Sequence, residues 1–520
     1  MRRLLVGILA LATIFGFCAV LPASASEQVP TARACTTPLH PGGPVCYTLI
    51  RTDITPLRAN ALRPDATPSG YGPSDLQSAY DLPSASAGSG QTVAVMEAAD
   101  NPNLESDLGT YRAQFGLAAC TTANGCFRKV NQSGQQGNYP PGDTGWGTEA
   151  SLDVDMISAI CPNCHILVVE AGDLNAAQNT AVSLGAHYLS NSWGTGDGSG
   201  DSGADADYNH AGVVDVASTG DSGYGVSFPA TSKYVVAAGG TSLNRSSSSR
   251  GWSETAWSGS GAGCSSWESK PSWQTDSGCG GNRTVGDVSA VADPGTGVAV
   301  YDTYGQGGWF VVGGTSASSP IIASTYALAA NPPSGPAAST LYANPGSLND
   351  VTSGSDGSCS PSYLCTAGGG YDGPTGLGTP NGLGAFGGAS SGGSAGPITG
   401  YSGLCVDDRS SSTTNFNPIQ IWGCNNSGAQ QWTVVATGST LHVLGKCMDI
   451  NNGGTADGTT VDLYDCNGTG SQVFIPQSNG SLYNPQSGKC LDDPNSSTTE
   501  GTQLQLWDCN GSNAQQWHLP

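Results

Sequence analysis

The sequence of 520 residues predicts an exported protein with a large N-terminal domain and a smaller, all-β C-terminal domain of three repeats. Three observations lead to this organisation: an apolar segment at the start, a Gly/Ser-rich stretch at residues 387–397, and regularly spaced cysteines after that stretch. Only 11% of the residues are charged and glycine occurs 76 times, which is typical of proteins rich in strands and loops and argues against coiled coils.

The N-terminus has the three parts of a secretory signal peptide. Two arginines follow Met1, an apolar run extends from Leu4 to about Leu21, and Ala23-Ser24-Ala25 provides small residues for cleavage. The alternative is a membrane anchor, but the run is short and its small-residue exit favours cleavage after Ala25. We therefore expect residues 1–25 to be removed and the protein to be secreted, with residues 26–69 forming a short N-terminal segment, a candidate propeptide.

The cysteines fit an oxidising compartment. Of 17 cysteines, Cys18 lies in the signal peptide and the others form close neighbours along the chain. Eight local disulfides are therefore predicted, including a short structural bridge at Cys161–Cys164 in preference to a redox or zinc site. The pairs are Cys35/Cys46, Cys120/Cys126, Cys161/Cys164, Cys264/Cys279, Cys359/Cys365, Cys405/Cys424, Cys447/Cys466 and Cys490/Cys509.

The charge excludes several classes of partner. The formal net charge is −23, and loss of Arg2 and Arg3 with the signal peptide makes it more negative. Such a surface repels nucleic acid and anionic membranes, so neither is expected as a partner. We expect a soluble monomer.

The C-terminal repeat begins after the predicted linker, residues 387–397. Cys405, Cys447 and Cys490 open units that start 42 and 43 residues apart, and a second cysteine follows each of them 19 positions later. Each unit begins Cys-x-Asp, and two of the three end in Gln-Gln-Trp. Apolar and polar residues alternate between these motifs, which predicts short strands that close around a pseudo-threefold axis.

These motifs resemble the ricin B-like β-trefoil lectins over residues 398–520. The resemblance implies that an Asp, a strand Gln and aromatic residue, and a Gln or Asn near the repeat end hold one sugar. Trp422 and Trp507 would stack on the sugar, whereas Trp432 and Trp517 are predicted to be core residues. The second repeat has Asp462 in place of the strand Gln and Phe474 in place of the final Trp. The implied sugar-binding residues are Asp407, Gln420, Trp422 and Gln430 in the first repeat, Asp449, Tyr464 and Gln472 in the second, and Asp492, Gln505, Trp507, Asn510 and Gln515 in the third.

The N-terminal domain, predicted at residues 70–386, contains a candidate nucleophile. Ser316 lies between small residues in Gly314-Thr315-Ser316-Ala317 and precedes an apolar run, as expected for a serine at a helix start. A serine hydroxyl needs a base. None of the six histidines has the sequence context of the base in a Ser-His-Asp enzyme.

Carboxyl groups provide a different base. Glu149 and Asp153 are four residues apart and would share one face of a helix, with Thr148 as its expected N-cap. Two such carboxyls have pKa values pushed apart if the face is buried, whereas a solvated acidic face would have no catalytic meaning. Asp221 lies in Gly220-Asp221-Ser222, where a protonated carboxyl could donate to an oxyanion, although Asp-Ser-Gly is also common in turns.

Together, these segments resemble the sedolisin family of serine-carboxyl peptidases over about residues 70–388. Further matches include Ser192-Trp193-Gly194, Gly239-Gly240-Thr241 and Asp287-Val288-Ser289. The resemblance implies an α/β subtilisin-like fold with a parallel sheet, followed here by the all-β trefoil. It implies Ser316 as the nucleophile, Glu149 as the general base, Asp153 as its orienting partner and Asp221 as the oxyanion-side acid, with Glu97 extending the proton network.

The resemblance also implies one structural Ca²⁺ ion near the end of this domain. Its ligands would be the side chains of Asp350 and Asp372 and the carbonyl groups of Val351, Gly368 and Gly370. An all-oxygen set suits Ca²⁺ and not zinc. The alternative is a pair of turn aspartates without a metal.

The expected function is a secreted, acid-active serine endopeptidase that hydrolyses proteins or peptides and binds a polysaccharide or glycan through its C-terminal module. The alternatives are a secreted carbohydrate-binding protein with an inactive peptidase-like domain, and a glycoside hydrolase that uses the acidic pairs. The usual large folded prodomain has no counterpart in residues 26–69, which leaves open how the enzyme is kept inactive.

Overall fold

The computed structural model describes residues 29–57, 68–248, 250–388, 396–435, 440–467, 469–477 and 479–520. The predicted signal peptide and residues 389–395 of the predicted linker lie outside the described residues. In the part of the chain that is described, no helix has the length and apolar character needed to cross a membrane.

The N-terminal segment contains three short strands, of which the second and third pair with the larger domain. They are β1 (Thr31–Arg33), β2 (Val45–Cys46) and β3 (Leu49–Arg51). β1 pairs antiparallel with β3. The Cys35–Cys46 bridge closes the loop between β1 and β2.

The larger domain is an α/β fold around a mainly parallel sheet, as predicted. Its helices are α1 (Pro73–Ala79), α2 (Leu104–Gln114), α3 (Thr144–Ile160), α4 (Leu174–Ser183), α5 (Asp201–Ala204), α6 (Thr315–Ala329) and α7 (Ala338–Ala343). Its strands are β4 (Thr92–Glu97), β5 (Phe127–Asn131), β6 (His165–Glu170), β7 (Tyr188–Asn191), β8 (Trp193–Gly196), β9 (Val214–Ser218), β10 (Ser227–Phe228), β11 (Val236–Arg245), β12 (Trp252–Ala256), β13 (Gly263–Ser269), β14 (Asn282–Val285), β15 (Val288–Val291), β16 (Val298–Asp302), β17 (Gly308–Gly313), β18 (Leu348–Asn349) and β19 (Thr379–Pro380).

The central sheet has the strand order β12-β11-β9-β7-β4-β6-β5, with β15 also paired to β11. Only the pairing of β12 with β11 is antiparallel among these strands. The strands are rich in Val, Ala and Leu and are almost wholly buried, as expected where helices cover both faces of a parallel sheet. The carboxyl ends of these strands and the starts of α3 and α6 place the candidate catalytic residues.

Helix α3 begins five residues earlier than the sequence predicted. Its N-cap is Asp143, whose carboxylate accepts hydrogen bonds from the backbone of Gly145 and Trp146. The prediction that Thr148 caps this helix is therefore wrong, because an Asp at the N-cap satisfies the free backbone N–H groups one turn earlier. The hydroxyl of Thr148 instead donates to Asp302 at 2.9 Å.

The C-terminal domain is all-β, as predicted. Its strands are β20 (Thr399–Gly400), β21 (Cys405–Asp408), β22 (Asn417–Trp422), β23 (Thr433–Val435), β24 (Thr440–Val443), β25 (Lys446–Ile450), β26 (Val461–Tyr464), β27 (Ile475–Pro476), β28 (Leu482–Asn484), β29 (Lys489–Asp492), β30 (Gln505–Trp507) and β31 (Trp517–His518). The hairpins β21/β22, β25/β26 and β29/β30 occupy equivalent positions in the three repeats. Each hairpin contributes buried apolar residues to one shared core, because no single repeat is large enough to enclose a core.

All eight predicted disulfides are present, which confirms the pairing of neighbouring cysteines. Trp432 and Trp517 are also confirmed as core residues, because both rings are buried and their indole N–H groups donate to backbone carbonyls.

Candidate active site and sugar-binding pockets

Ser316 lies in the first turn of α6, directly after β17. The connecting residue, Gly314, has φ 98°, a conformation that glycine adopts without strain. The side chain of Ser316 is wholly buried, and its hydroxyl donates to the carbonyl oxygen of Ser192 at 3.2 Å. The turn therefore holds the hydroxyl at a helix N-terminus, where the backbone N–H groups favour developing negative charge.

Glu149 and Asp153 face this serine from α3. Both side chains are about 1% exposed, and Asp153 accepts a hydrogen bond from the hydroxyl of Ser192 at 2.7 Å. Burial raises the pKa of Glu149 to about 8, although the neighbouring Ser316 and Thr48 act in the opposite direction. Burial, followed by the charge of Glu149, raises the pKa of Asp153 well above its ordinary value. The two carboxyls therefore resist simultaneous ionisation in acidic solution.

Glu97 extends this acidic cluster at the end of β4. It pairs in register with Glu170 on β6, and its side chain is wholly buried. Neither of its carboxyl oxygens has a hydrogen-bond partner among the described residues. Burial, followed by the charges of Asp153 and Glu149, raises its pKa well above the ordinary value. Glu97 therefore belongs to the same buried acidic cluster as the pair, and its part in a proton network stays a prediction.

Asp221 approaches Ser316 from the opposite side. Its Oδ1 accepts hydrogen bonds from the backbone N–H and the hydroxyl of Thr315, at 2.8 and 2.9 Å. Its Oδ2 is buried and has no partner within the described part of the chain. Burial raises the pKa of Asp221 to about 7, and the Thr315 hydrogen bonds oppose the rise. In acidic solution Asp221 therefore carries a proton that can be donated from Oδ2.

The sequence analysis missed two residues at this site, Tyr47 and Thr48. The backbone N–H of Tyr47 donates to the Ser192 carbonyl at 3.2 Å, and the N–H of Thr48 donates to Glu149 Oε2 at 3.1 Å. Both residues belong to the segment that was predicted only as a candidate propeptide. The disulfide at Cys46 was the one local signal that this stretch has a defined conformation.

Four of the five predicted calcium ligands lie in two hydrogen-bonded pairs, Gly368 with Asp372 and Gly370 with Asp350. Asp372 is wholly buried, and its carboxylate accepts hydrogen bonds from Gly368 and Thr375 at 2.8–3.0 Å. The N–H of Gly370 donates to Asp350 at 2.9 Å. Burial raises the pKa of Asp372 to about 6, and the charge of Asp350 acts in the same direction. A buried carboxylate beside a second one, on glycine-rich backbone, fits a hard cation that would neutralise both charges.

The first and third repeats of the C-terminal domain each form a pocket. The first pocket has a volume of about 480 Å³ and is lined by Asp407, Gln420 and Trp422. The third has a volume of about 370 Å³ and is lined by Asp492, Gln505, Trp507 and Asn510. Trp422 is 39% exposed and Trp507 is 41% exposed, so each ring presents a face to solvent.

Glutamine side chains fix the aspartate in both pockets. In the first, Gln420 and Gln430 donate to the two carboxylate oxygens of Asp407 at 2.9 and 3.0 Å. In the third, Gln505 and Gln515 donate to Asp492 at 2.9 and 3.2 Å. Each carboxylate is thereby held in one orientation, with further lone pairs free to accept sugar hydroxyl groups.

The second repeat has a different arrangement. Asp449 and Asp462 are directly opposite each other on β25 and β26, where the other repeats pair Asp with Gln. Burial, opposed by a hydrogen bond from Asn451, raises the pKa of Asp462 to about 6. Gln472 donates to the backbone of Asp465, and Tyr464 is only half-exposed, packed edge-on against Phe416. This repeat therefore lacks the orienting strand glutamine of the other two.

Comparison with known proteins agrees with both halves of this description. Residues 394–517 match the model of the ricin-type beta-trefoil lectin domain. Kumamolisin from Bacillus sp. (strain MN-32) is 34% identical over 361 residues, covering 61% of this chain and 63% of the relative. Sedolisin from Pseudomonas sp. (strain 101) is 29% identical over 363 residues, covering 60% of each protein.

A solved structure, Pseudomonas sedolisin (a serine-carboxyl proteinase) complexed with two molecules of pseudo-iodotyrostatin, matches with a TM-score of 0.52 and 28% identity. The matched region covers 61% of this chain and 96% of the solved chain. The N-terminal part of the chain thus has the fold of a serine-carboxyl peptidase. More specifically, the chain combines a sedolisin-like domain with a ricin B-like β-trefoil. It spans about three-fifths of the length of the curated relatives that it matches.

Proposed function

We propose that this chain is a secreted, acid-active serine endopeptidase that carries a carbohydrate-binding module. The observation that supports it most directly is the convergence on one buried point of a helix-start serine, a pair of protonatable carboxyls and an aspartic acid with an unpartnered oxygen. A decayed domain would not be expected to keep all four groups in place. The similarity to kumamolisin and sedolisin supports the same reaction class.

In the proposed mechanism, the Ser316 hydroxyl attacks the carbonyl carbon of the scissile peptide bond. Glu149 accepts the serine proton, with Asp153 orienting it and sharing its charge, and then delivers this proton to the leaving amine. The protonated Asp221 donates to the oxyanion, which a charged carboxylate would repel. Water then hydrolyses the acyl-enzyme, with Glu149 again acting as the base.

The raised pKa of Asp221 supports activity in acidic solution. Asp221 holds its proton up to a pH of about 7 because its side chain is buried. With residues 45–51 in the cleft, burial raises the pKa of Glu149 to about 8, so only a small fraction of Glu149 is ionised in acidic solution. This fraction increases when the cleft opens and water reaches the carboxyl. The Glu149/Asp153 pair can work with one shared proton, so its titration belongs to the pair and not to either residue.

For the predicted metal site, we propose a structural Ca²⁺ ion held by Asp350, Asp372 and the carbonyl groups of Val351, Gly368 and Gly370. The ion would tie together two loops of the domain. In the C-terminal domain, we propose that the first and third pockets each bind one sugar, whose hydroxyl groups would reach the fixed aspartate while the tryptophan stacks on its apolar face. Secretion is supported by the eight disulfides.

The nucleophile can be tested by replacing one hydroxyl. Ser316→Ala should abolish hydrolysis of a denatured protein at acidic pH while leaving the fold and polysaccharide retention intact, because only the attacking oxygen is lost. A matched control is Ser324→Ala on the same helix, where the buried hydroxyl has no partner among the described residues. Activity of one tenth or more of wild type in Ser316→Ala would show that another nucleophile is at work. Cleavage of a polysaccharide but not of protein would favour a glycoside hydrolase.

A further inference from the structure

The N-terminal segment crosses the candidate active site in the manner of a substrate. We propose that Tyr47–Thr48 is the peptide bond presented to Ser316, and that the pocket around the Tyr47 side chain is the specificity pocket for a tyrosine before the scissile bond. This inference rests on the proposed peptidase function and names its substrate class: peptides with tyrosine on the acyl side of the cleaved bond, of which this chain is itself one.

The backbone of the segment is held on both sides of this bond. Before it, β2 pairs antiparallel with β8, with Val45 opposite Gly194 and Cys46 opposite Trp193. After it, β3 pairs antiparallel with β17, the strand that leads into Ser316, with Leu49 opposite Gly313. Extended backbone paired along a cleft is a common way for proteins to hold a peptide.

The polar contacts of the bond match the roles of the catalytic groups. The N–H of Tyr47 and the Ser316 hydroxyl both donate to the Ser192 carbonyl, each at 3.2 Å. The next N–H, that of Thr48, donates to Glu149 at 3.1 Å. The nitrogen that would leave as an amine therefore contacts the group that would protonate it.

The carbonyl oxygen of Tyr47 lies on the Asp221 side of the bond. A Cβ atom placed on Gly314 would be 1.8 Å from this oxygen and 2.6 Å from Asp221 Oδ2. The two oxygens therefore face each other across Gly314, and only glycine leaves room for the carbonyl there. This places the Tyr47 oxygen near the one carboxyl oxygen of Asp221 that has no partner among the described residues.

The side chain of Tyr47 fills a pocket with glycine walls. Cβ atoms placed on Gly194 and Gly220 would lie 2.2 Å from the tyrosine hydroxyl and 3.6 Å from its ring, respectively. At the far end, the hydroxyl groups of Tyr47 and Ser227 both lie next to Gly220. A cavity of about 600 Å³ adjoins this position and is lined by Tyr47 and Ser227 and, among charged residues, by Arg33 and Asp221. The pocket that holds the ring itself has glycine walls and a neutral hydroxyl at its end. An aromatic ring with a terminal hydroxyl therefore fits it well.

Both sides of the bond are also tied to the same short stretch, residues 33–35. Cys46 is bridged to Cys35, and the carbonyl of Thr48 accepts a hydrogen bond from the N–H of Ala34 at 3.0 Å. Arg33 donates to the backbone carbonyl of Asp221 at 3.2 Å. Cleavage would consume one water and leave a carboxyl group on Tyr47 and an amine on Thr48. Both new ends would remain beside Ser316, so the amine can re-form the bond and release is slowed.

In the cleavage step, Ser316 Oγ bonds to the Tyr47 carbonyl carbon and its proton passes to Glu149. The Tyr47–Thr48 C–N bond then breaks, and the Thr48 nitrogen takes that proton. Water hydrolyses the resulting ester, which restores the Ser316 hydroxyl. Until the segment leaves, it excludes other substrates from the cleft, so the same contacts make it an inhibitor.

The first test uses the full-length chain. Wild-type protein and Ser316→Ala are incubated at pH 4, 5, 6 and 7, and their new N-termini are determined by mass spectrometry. We expect an N-terminus at Thr48 in wild type and none there in Ser316→Ala. Tyr47→Ala should slow this cut at least tenfold, and Tyr47→Phe should restore most of the rate. A Ser316-dependent cut elsewhere, with Tyr47–Thr48 intact, would overturn the inference.

The main comparison of the second test uses only the wild-type enzyme, so it does not depend on how a variant folds. A set of peptides of the form Pro-Val-Ala-X-Thr-Leu, with X as Tyr, Phe, Ala or Glu, is given to the wild-type enzyme after the segment has been removed. We expect kcat/KM for Tyr and Phe to exceed that for Ala and Glu by at least tenfold. Ser227→Ala should lower the Tyr-to-Phe ratio by several-fold, because it removes the hydroxyl at the end of the pocket.

The two proposals fail in different ways. If Ser316-dependent hydrolysis of denatured protein is observed but Ala is cleaved as fast as Tyr, the specificity inference is wrong and the peptidase function stands. If neither wild type nor Tyr47→Ala hydrolyses any protein or peptide in a Ser316-dependent way, the proposed function fails, and the inference fails with it.

Discussion

Asp221→Asn should change how the stability of the N-terminal domain depends on pH. Burial raises the pKa of Asp221 from its ordinary value of 3.8 to about 7. Between these values, the folded protein keeps a proton that the unfolded chain has lost, so the free energy of unfolding falls as pH rises. Each pH unit in this range lowers the free energy of unfolding by about 1.4 kcal/mol, so the whole range of about three units lowers it by about 4 kcal/mol. Asparagine has no such proton and should not show this loss.

The assay is urea-induced unfolding of the N-terminal domain at pH 4, 5, 6 and 7, in a Ser316→Ala background that prevents self-digestion. We expect the stability of Asp221→Asn relative to its parent to increase by about 4 kcal/mol from pH 4 to pH 7. A control is Asp81→Asn, at an exposed position, which should shift all four values equally. If the difference in the free energy of unfolding between Asp221→Asn and its parent stays constant within about 1 kcal/mol from pH 4 to pH 7, the claim that Asp221 is protonated in the folded protein is refuted.

Three further predictions concern activity, metal and sugar. The hydrolysis rate of wild type should be highest in acidic solution and fall as the pH rises through about 7, because Asp221 then loses its proton. The residual activity of Asp221→Asn should extend further toward neutral pH. A wild-type optimum at pH 7 or above would exclude the mechanism. A chelator should lower the melting temperature of the N-terminal domain, and Asp350→Ala should remove that sensitivity; an unchanged melting curve without tightly bound Ca²⁺ by elemental analysis would contradict the site. Asp492→Ala or Trp507→Ala should weaken retention on a polysaccharide matrix without changing peptide hydrolysis, whereas Asp449→Ala should have a smaller effect; equal retention of all variants would make the pockets structural.

The features that could be predicted from the sequence are local ones. The disulfides were found because each pair is at most 19 residues apart, and the trefoil because its period repeats along the chain. Glu149 and Asp153 could be placed on one helical face from their spacing alone. The parallel sheet was implied by a family resemblance and confirmed by the strand pairing, since the helix and strand patterns alone do not fix strand order.

Contacts between distant parts of the chain could not be predicted in this way. Thr48 and Glu149 are 101 residues apart, and Ser192 and Ser316 are 124 apart, yet all four meet at the site. No spacing rule connects such residues, because their approach depends on the order of strands in the sheet. The N-cap of α3 was misplaced for a local reason, because the carboxylate of Asp143 accepts hydrogen bonds from the backbone of Gly145 and Trp146, whereas Thr148 lies inside the helix.

The pKa of Glu149 depends on whether the N-terminal segment occupies the cleft. Thr48 contributes a hydrogen bond that opposes the rise in the pKa of Glu149, while the burial of Glu149 acts in the other direction and dominates. Departure of residues 45–51 would remove the hydrogen bond and also admit water to the carboxyl. Since burial is the larger cause, the pKa of Glu149 should fall when the cleft opens. The pair would then ionise at a lower pH in the open enzyme than in the occupied one, which brings its base form into the acidic range where Asp221 still keeps its proton.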